Sequence, residues 1–311
     1  MTRKPVTNVA ASVRARLLTL AKQRGEQFER LLQAYVIERF LHRLGTSELR
    51  ERFIVKGAML LAVWGGGVLR PTRDLDLLGF GDSNADHLRE AIRSICGRAA
   101  DVPDGIEFDA KSMETSTIRD DDDYAGTRVL VWASLGSARI RMQIDVGFGD
   151  TVHPAPEWIE FPTMIDLPAP RVRAYPREAS IAEKIEAIVA LGEANSRLKD
   201  FYDLFALARE TEFAGDVLVE SVRRTFATRG TRIPEGTPPG LGDAFLANQT
   251  TLSRWSGFIA DRHLIAPTLS EVGTRLRAFV LPLLQSARPD STERSPGHWR
   301  PDSGWVKASR E

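Results

Sequence analysis

The sequence predicts a mixed α/β (α+β) fold in two lobes, a mixed-sheet lobe followed by a helical one. Three observations carry this reading. Short alternating apolar segments cluster between Phe53 and Gly147. Prolines then punctuate the chain at 154, 156, 162, 168, 170 and 176. Beyond them, apolar residues recur at the three-to-four spacing of helices.

Taken in order, Val9 to Leu44 is expected to be helical, with Leu17, Leu31, Leu32, Tyr35, Val36 and Phe40 on one stripe and Gly45 as a stop. Phe53-Ile54-Val55 reads as a short strand ending at Lys56-Gly57. Ala58 to Trp64 reads as a buried helix that glycines 65 to 67 end. A strand through Asp74 and Asp76 follows. Ser83 to Arg98 is expected to be a helix capped by Ser83 or Asn84. Strands are expected at Gly105–Lys111, Arg128–Ala133 and Ala138–Gly147, the last two joined by a turn at Leu135-Gly136-Ser137. Ser180-Ile181-Ala182-Glu183 has the form of a capping box. It opens a helix that a second, Arg197–Arg209, follows; further helices are expected over 213–228, 241–260 and 269–286. The expected division is 1–46 for N-terminal helices, 47–155 for the sheet lobe, 156–176 for a proline-rich connector, 177–286 for the helical lobe and 287–311 for a polar, disordered tail.

Bulk properties narrow the function classes. No apolar stretch approaches the roughly 20 residues needed to cross a bilayer, and the basic N-terminus lacks the apolar core of a secretory signal. Cys96 is the sole cysteine, so an internal disulfide is excluded and a reducing, cytoplasmic location is expected. Cys96 itself reads as a small core residue. Forty-two basic residues balance 42 acidic ones, so no global charge draws the chain to nucleic acid. The histidines show no zinc-type spacing.

The chemistry is expected in Arg70-Pro71-Thr72-Arg73-Asp74-Leu75-Asp76-Leu77-Leu78. On a strand, residues two apart share a face, so Asp74 and Asp76 project together while Leu75 and Leu77 enter a core. Adjacent carboxylates repel unless a positive charge joins them. Mg²⁺ (or Mn²⁺), held by one or two carboxylates together with substrate phosphates, suits such a pair. A solvated strand end fits the same two residues. Asp145, on the polar face of a late strand beside Arg139 and Arg141, is the natural third carboxylate. Arg70 and Arg73 lie near enough in sequence to meet phosphate. The acidic run Asp120–Asp123 reads as an exposed loop, and Trp299 and Trp305 as parts of a passive tail.

Four ordered segments then resemble one family. Phe53-Ile54-Val55-Lys56-Gly57-Ala58-Met59-Leu60-Leu61 followed by Arg73-Asp74-Leu75-Asp76-Leu77 is similar to the signature of AbiEii-type nucleotidyltransferase toxins of type IV toxin–antitoxin systems, the MenT toxins among them. Ile144-Asp145-Val146-Gly147-Phe148-Gly149-Asp150, Ser180 to Ala187, and Arg197-Leu198-Lys199-Asp200-Phe201-Tyr202-Asp203-Leu204 resemble its later motifs. The resemblance implies a nucleotidyltransferase lobe, a helical lobe and an active site in the cleft between them. It implies Mg²⁺ dependence with an NTP as substrate. It makes Asp74 and Asp76 the metal carboxylates, Lys184 a contact to the nucleotide phosphates, and Asp200 the acidic residue of the last motif, a candidate base toward the acceptor hydroxyl. Asp203 lies farther round its helix and is set aside. Many nucleotidyltransferases carry Gly-Ser where this chain has Gly57-Ala58, so one hydroxyl is missing here. Backbone N–H groups beside Gly57, the Lys56 side chain and Arg73 are the expected substitutes at the phosphates.

The expected reaction transfers a nucleoside monophosphate from an NTP to an RNA acceptor, above all a tRNA 3′ end. That would stop aminoacylation and growth, and a cognate antitoxin would oppose it. The arginines Arg139, Arg141, Arg171, Arg173 and Arg177 favour RNA. Transfer to a small molecule or a protein, as in antibiotic modification, is the alternative enzyme reading; a catalytically silent binding protein is the alternative outside enzymes. The sequence leaves the oligomeric state open.

Overall fold

The structure, a computed structural model, describes residues 8–64, 72–119, 125–262 and 264–307. The glycines 65–67, Arg70 and the acidic run Asp120–Asp123 lie outside the described residues. The chain divides into two compact units. The first comprises Met1–Val63, Pro71–Gly149 and Glu157–Ala174; the second comprises Trp64–Arg70, Asp150–Pro156 and Tyr175–Glu311. The N-terminal helices and much of the expected connector therefore belong to the sheet unit.

The first unit begins with α1 (Val9–Arg24) and α2 (Phe28–Thr46). The helical stretch expected over Val9–Leu44 is divided at Gly25. Gly25, at φ +66°, caps α1 by donating its N–H to Ala21 and Lys22 carbonyls, a left-handed turn that glycine takes without steric cost. β1 (Phe53–Lys56) leads into a 3₁₀ turn over Gly57–Leu60 and the short α3 (Leu61–Trp64), where a single longer helix was expected. β2 (Asp74–Gly79), α4 (Ala85–Gly97), β3 (Ile106–Arg119), β4 (Ala125–Leu135) and β5 (Ala138–Phe148) follow. Asn84 caps α4, its side chain accepting from the N–H groups of Asp86 and His87.

The expected connector contributes two more strands, β6 (Glu157–Glu160) and β7 (Arg171–Ala174). They are short and proline-flanked, so they carry little periodic signal. Pairing supplies what the sequence does not show: β7 lies parallel to β1 and antiparallel to β6. The seven strands run in the order β3-β4-β5-β2-β1-β7-β6. Within this mixed sheet, β2 and β5 are parallel, whereas β1–β2, β3–β4 and β4–β5 are antiparallel.

Alternation gives the sheet an apolar face and a polar face. Val129, Val131, Ala133, Met142, Ile144 and Val146 are buried, as is the α4 stripe of Leu88, Ile92, Ile95 and Cys96. Burial pushes the Cys96 thiol up to about 12, so it behaves as a small apolar group. Helix α2 is buried almost all round, and it brings charge with it. Arg43 grips Asp104 at 2.6 and 3.2 Å, Arg39 donates to the Pro168 carbonyl, and Glu38 accepts from Arg39 and from the Met164 N–H. These buried ions are paired and hydrogen-bonded, as their desolvation requires.

The second unit holds α5 (Arg177–Leu191), α6 (Leu198–Glu210), β8 (Phe213–Ala214), α7 (Gly215–Thr228), α8 (Asp243–Leu246), α9 (Gln249–Asp261), α10 (Leu269–Ala287), β9 (His298–Arg300) and β10 (Gly304–Val306). Two expectations are corrected here. Helix α5 starts after Pro176, so Ser180 is buried inside it and caps nothing; the capping box of this unit joins Thr268 and Glu271 at the start of α10. The tail expected to be disordered folds back as β9 and β10, which form a small sheet in the order β10-β9-β8. Trp299 is fully buried. Its indole N–H donates to the Ala208 carbonyl at 2.7 Å and its ring meets Phe279 and Trp305. Among the described residues, no helix is long and apolar enough to cross a membrane.

Candidate functional site

In β2, Leu75 and Leu77 are fully buried, while Asp74 and Asp76 stand half-buried on the opposite face. Pairing extends that face into a row. Lys56 of β1 is the partner of Asp76, Asp76 is the partner of Asp145 in β5, and Asp145 is the partner of Arg128 in β4. Directly opposed residues on neighbouring strands point to one side. The row therefore reads cation, carboxylate, carboxylate, cation. Asp74 lies one pleat along, across from Gln143.

Carboxylate oxygens of Asp74, Asp76 and Asp145 all lie within 4.8 Å of one another. The Thr72 hydroxyl donates to Asp74 Oδ1 at 2.5 Å. Arg128 holds Asp145 in a two-point clasp, Nε to Oδ1 and Nη2 to Oδ2, both at 2.8 Å, and Gln143 Nε2 donates to Oδ2 at 3.0 Å. Gly57, at φ +77°, packs on the same cluster: a Cβ there would collide with the Asp76 carboxylate. Glycine is thus demanded both by the backbone and by the closeness of Asp76. Arg73, just before β2, is exposed, and its carbonyl accepts from Gln33 Nε2 at 2.7 Å.

Three converging carboxylates are hard oxygen donors, which suit Mg²⁺ or Mn²⁺ and not a thiolate-seeking metal. Arg128 and Gln143 orient Asp145 from behind, as hydrogen-bonded partners of a ligating carboxylate do. The residues present therefore fit a divalent cation. Sequence reasoning missed Arg128, because only strand register reveals that it faces Asp145.

Lys184 and Asp200 lie in the second unit, where they meet. Lys184 Nζ donates to Asp200 Oδ1 at 3.0 Å and to Asp203 Oδ2 at 2.9 Å. Arg197 Nε takes the other Asp200 oxygen at 2.8 Å. Asp203 had been set aside as lying farther round α6, yet it is as buried as Asp200 and shares the same lysine. Periodicity relative to an apolar stripe could not show this, since α6 is buried on nearly every side. Burial by itself would raise the Asp200 carboxyl; Lys184, Arg197 and Lys199 more than offset it and hold the group down at about 2. Next to Lys184, Glu183 joins Glu186 and Asp150 around Arg229 at 3.6, 2.8 and 3.2 Å. Burial opposes the Arg229 charge, but these three carboxylates raise its affinity for the proton.

The chain is similar to two crystal structures from Helicobacter pylori. One is JHP933, with a TM-score of 0.49 and 14% identity over 84% of this chain and 94% of that one. The other is a proposed nucleotidyltransferase, with a TM-score of 0.49 and 15% identity over 84% of this chain and 97% of that one. No curated protein matches the sequence. The family model described as nucleotidyl transferase AbiEii toxin, type IV TA system, matches residues 39–279. That match spans well over half of the chain, which therefore belongs to the AbiEii family of nucleotidyl transferase toxins of type IV toxin–antitoxin systems.

Proposed function

We propose that the chain transfers a nucleoside monophosphate from an NTP to the 3′ end of an RNA, with tRNA as the acceptor, in a Mg²⁺- or Mn²⁺-dependent reaction in the cytoplasm. Growth arrest through lost aminoacylation and neutralisation by a cognate antitoxin belong to the same reading. The observation that carries it is the convergence of Asp74, Asp76 and Asp145 on one sheet face, flanked by Lys56 and Arg128.

In this reading Asp74, Asp76 and Asp145 would hold the divalent ion. When bound, it supplies charge neutralisation at the triphosphate and a lowered pKa at the acceptor hydroxyl. The bond formed joins the acceptor oxygen to the α-phosphorus; the α–β bridge breaks and pyrophosphate leaves, with the hydroxyl proton passing to solvent. Phosphoryl transfer asks the protein mostly for positioning and charge. Lys56 supplies a cation beside Asp76. Gly57 keeps the approach to Asp76 free of side-chain bulk. Arg73, exposed and adjacent in sequence, is assigned to phosphate.

From the second unit we assign Lys184 to the nucleotide phosphates. Asp200 and Asp203 hold its ammonium in place. A carboxyl held at about 2 is ionised throughout the physiological range and accepts protons poorly. With both carboxylate oxygens taken by Lys184 and Arg197, Asp200 acts in this proposal as the positioner of Lys184.

The test incubates purified protein with Mg²⁺, each α-labelled NTP and total tRNA, beside an Asp76→Asn variant. Label in tRNA with the wild type alone is the expected result. Label on no RNA, or equal label from both proteins, overturns the proposal. Label on a small molecule or protein would move the acceptor to that class. Expression of wild type, but not of Asp76→Asn, is expected to halt growth.

A further inference from the structure

Resting on the RNA-acceptor reading above, we propose that the open face of β4 and β5 is the track on which the single-stranded 3′ end of the acceptor RNA lies, with Trp132 and Arg139 as its stacking platform and Arg141 as a phosphate contact. Residues two apart on a strand share a face, so Gln143, Arg141 and Arg139 continue the face of Asp145 down β5. Register sets Leu130, Trp132 and Ser134 of β4 beside them, opposite Gln143, Arg141 and Arg139. The other face of these strands is buried core, and α2 meets the same side of the neighbouring β3 through Phe40 and Arg43 on Phe108.

The track has the two ingredients of single-strand recognition, an aromatic plane and cations along the backbone path. Trp132 is half-buried, and the Arg139 guanidinium lies over its ring at 4.6 Å. A guanidinium–indole pair of this kind, its guanidinium exposed, offers a base a surface on which to stack. Arg141 is half-exposed, with Glu114 of β3 at 3.5 Å. The next strand outward is acidic on this face: Glu107, Asp109 and Glu114 lie opposite Ser134, Trp132 and Leu130. A polyanion would therefore run its phosphates along β5 and turn its bases over β4, fenced from β3 by charge. Six residues at strand rise put Arg139 about 20 Å from Asp145. The final nucleotides of an unpaired end can span that distance with the terminal hydroxyl at the carboxylates. A base inside a duplex is stacked on both faces and offers none to Trp132.

The full chain with Mg²⁺, NTP and a single-stranded oligoribonucleotide bearing a free 3′ hydroxyl tests this, with Trp132→Ala, Trp132→Phe and Arg139→Gln compared with wild type. Trp132→Ala is expected to raise KM for RNA about tenfold, the loss of one stacked base, with KM for NTP unchanged. Trp132→Phe is expected to restore most of it. Arg139→Gln is expected to raise KM for RNA several-fold. Arg141→Gln is expected to flatten the salt dependence of RNA binding by about one unit of slope. If Trp132→Ala does not fold, the exposed Arg139→Gln and Arg141→Gln decide alone. Unchanged KM for RNA in these variants, with wild type still labelling RNA, overturns the track and leaves the acceptor reading standing. No RNA labelled by wild type overturns both. Variants that lose antitoxin binding but keep RNA kinetics assign the face to a protein partner and overturn the track.

Discussion

Gly57 sits so close to Asp76 that a single added methyl group would strike the Asp76 carboxylate. Replacing it by alanine imposes two penalties. A non-glycine residue at φ +77° costs about 1–2 kcal/mol, and the collision moves an oxygen of the acidic cluster. Gly57→Ala is expected to lower kcat/KM for labelled-NTP incorporation by about 100-fold or more, as displacement of a reacting group by an ångström does. The melting temperature should fall by only a few degrees. Near-wild-type turnover would show that Asp76 need not stay where it is.

The clasp between Arg128 and Asp145 makes a separate prediction. Arg128→Lys keeps the charge and loses the two-point geometry. Mn²⁺ titration of the variant is expected to show affinity reduced by about 10- to 100-fold, typical of losing a partner that orients a ligand. Equal or tighter Mn²⁺ binding would mean that Arg128 competes with the ion instead of orienting its ligand.

Asp200 should reveal itself in acid. Its folded pKa of about 2 lies below the ordinary 3.8, so its contribution is present above pH 3.8 and disappears as pH falls through about 2. The shift corresponds to about 2 kcal/mol. Asp200→Asn is expected to be less stable than wild type by that order at pH 7, with the gap closing between pH 4 and 2 in chemical denaturation. Between pH 6 and 9 the variant should lower kcat without moving the pH–rate profile. A profile whose acid limb shifts on this substitution would restore Asp200 as a base.

His42 titrates in a milder range. It is buried, its Nδ1 has no hydrogen-bond partner among the described residues, and burial together with Arg39 lowers its pKa below 6.5. The folded state therefore binds the proton less readily than the unfolded chain. Stability from this group is full above pH 6.5 and is lost as pH falls below it. His42→Gln should flatten the dependence of melting temperature on pH between 6.5 and 5; an unchanged slope would exclude His42 as its source.

The C-terminal hairpin is expected to be structural. Trp299→Ala should cost about 3–5 kcal/mol, the usual range for a fully buried tryptophan, and truncation before Gly297 should lower the melting temperature comparably. A truncated chain that melts like wild type would return this segment to the role of a passive tail.

Much of this was legible in the chain. The two-residue spacing of Asp74 and Asp76, and the alternation of Ile140, Met142 and Ile144 around Asp145, state a strand face directly. What stayed hidden depends on partners distant in sequence. Arg128 gains its meaning only from register, which periodicity does not encode. β6 and β7 are four residues each and proline-flanked, too short to show a period. Asp203 looked peripheral because burial on α6 runs round the helix. The tail read as disordered because its polar composition hid two tryptophans that anchor it to α10.

Two carboxylates between two cations give the row Lys56, Asp76, Asp145, Arg128 no net charge. Strand pairing at this point need not await an ion to quiet repulsion. The sheet can close along this row with or without a metal ion bound.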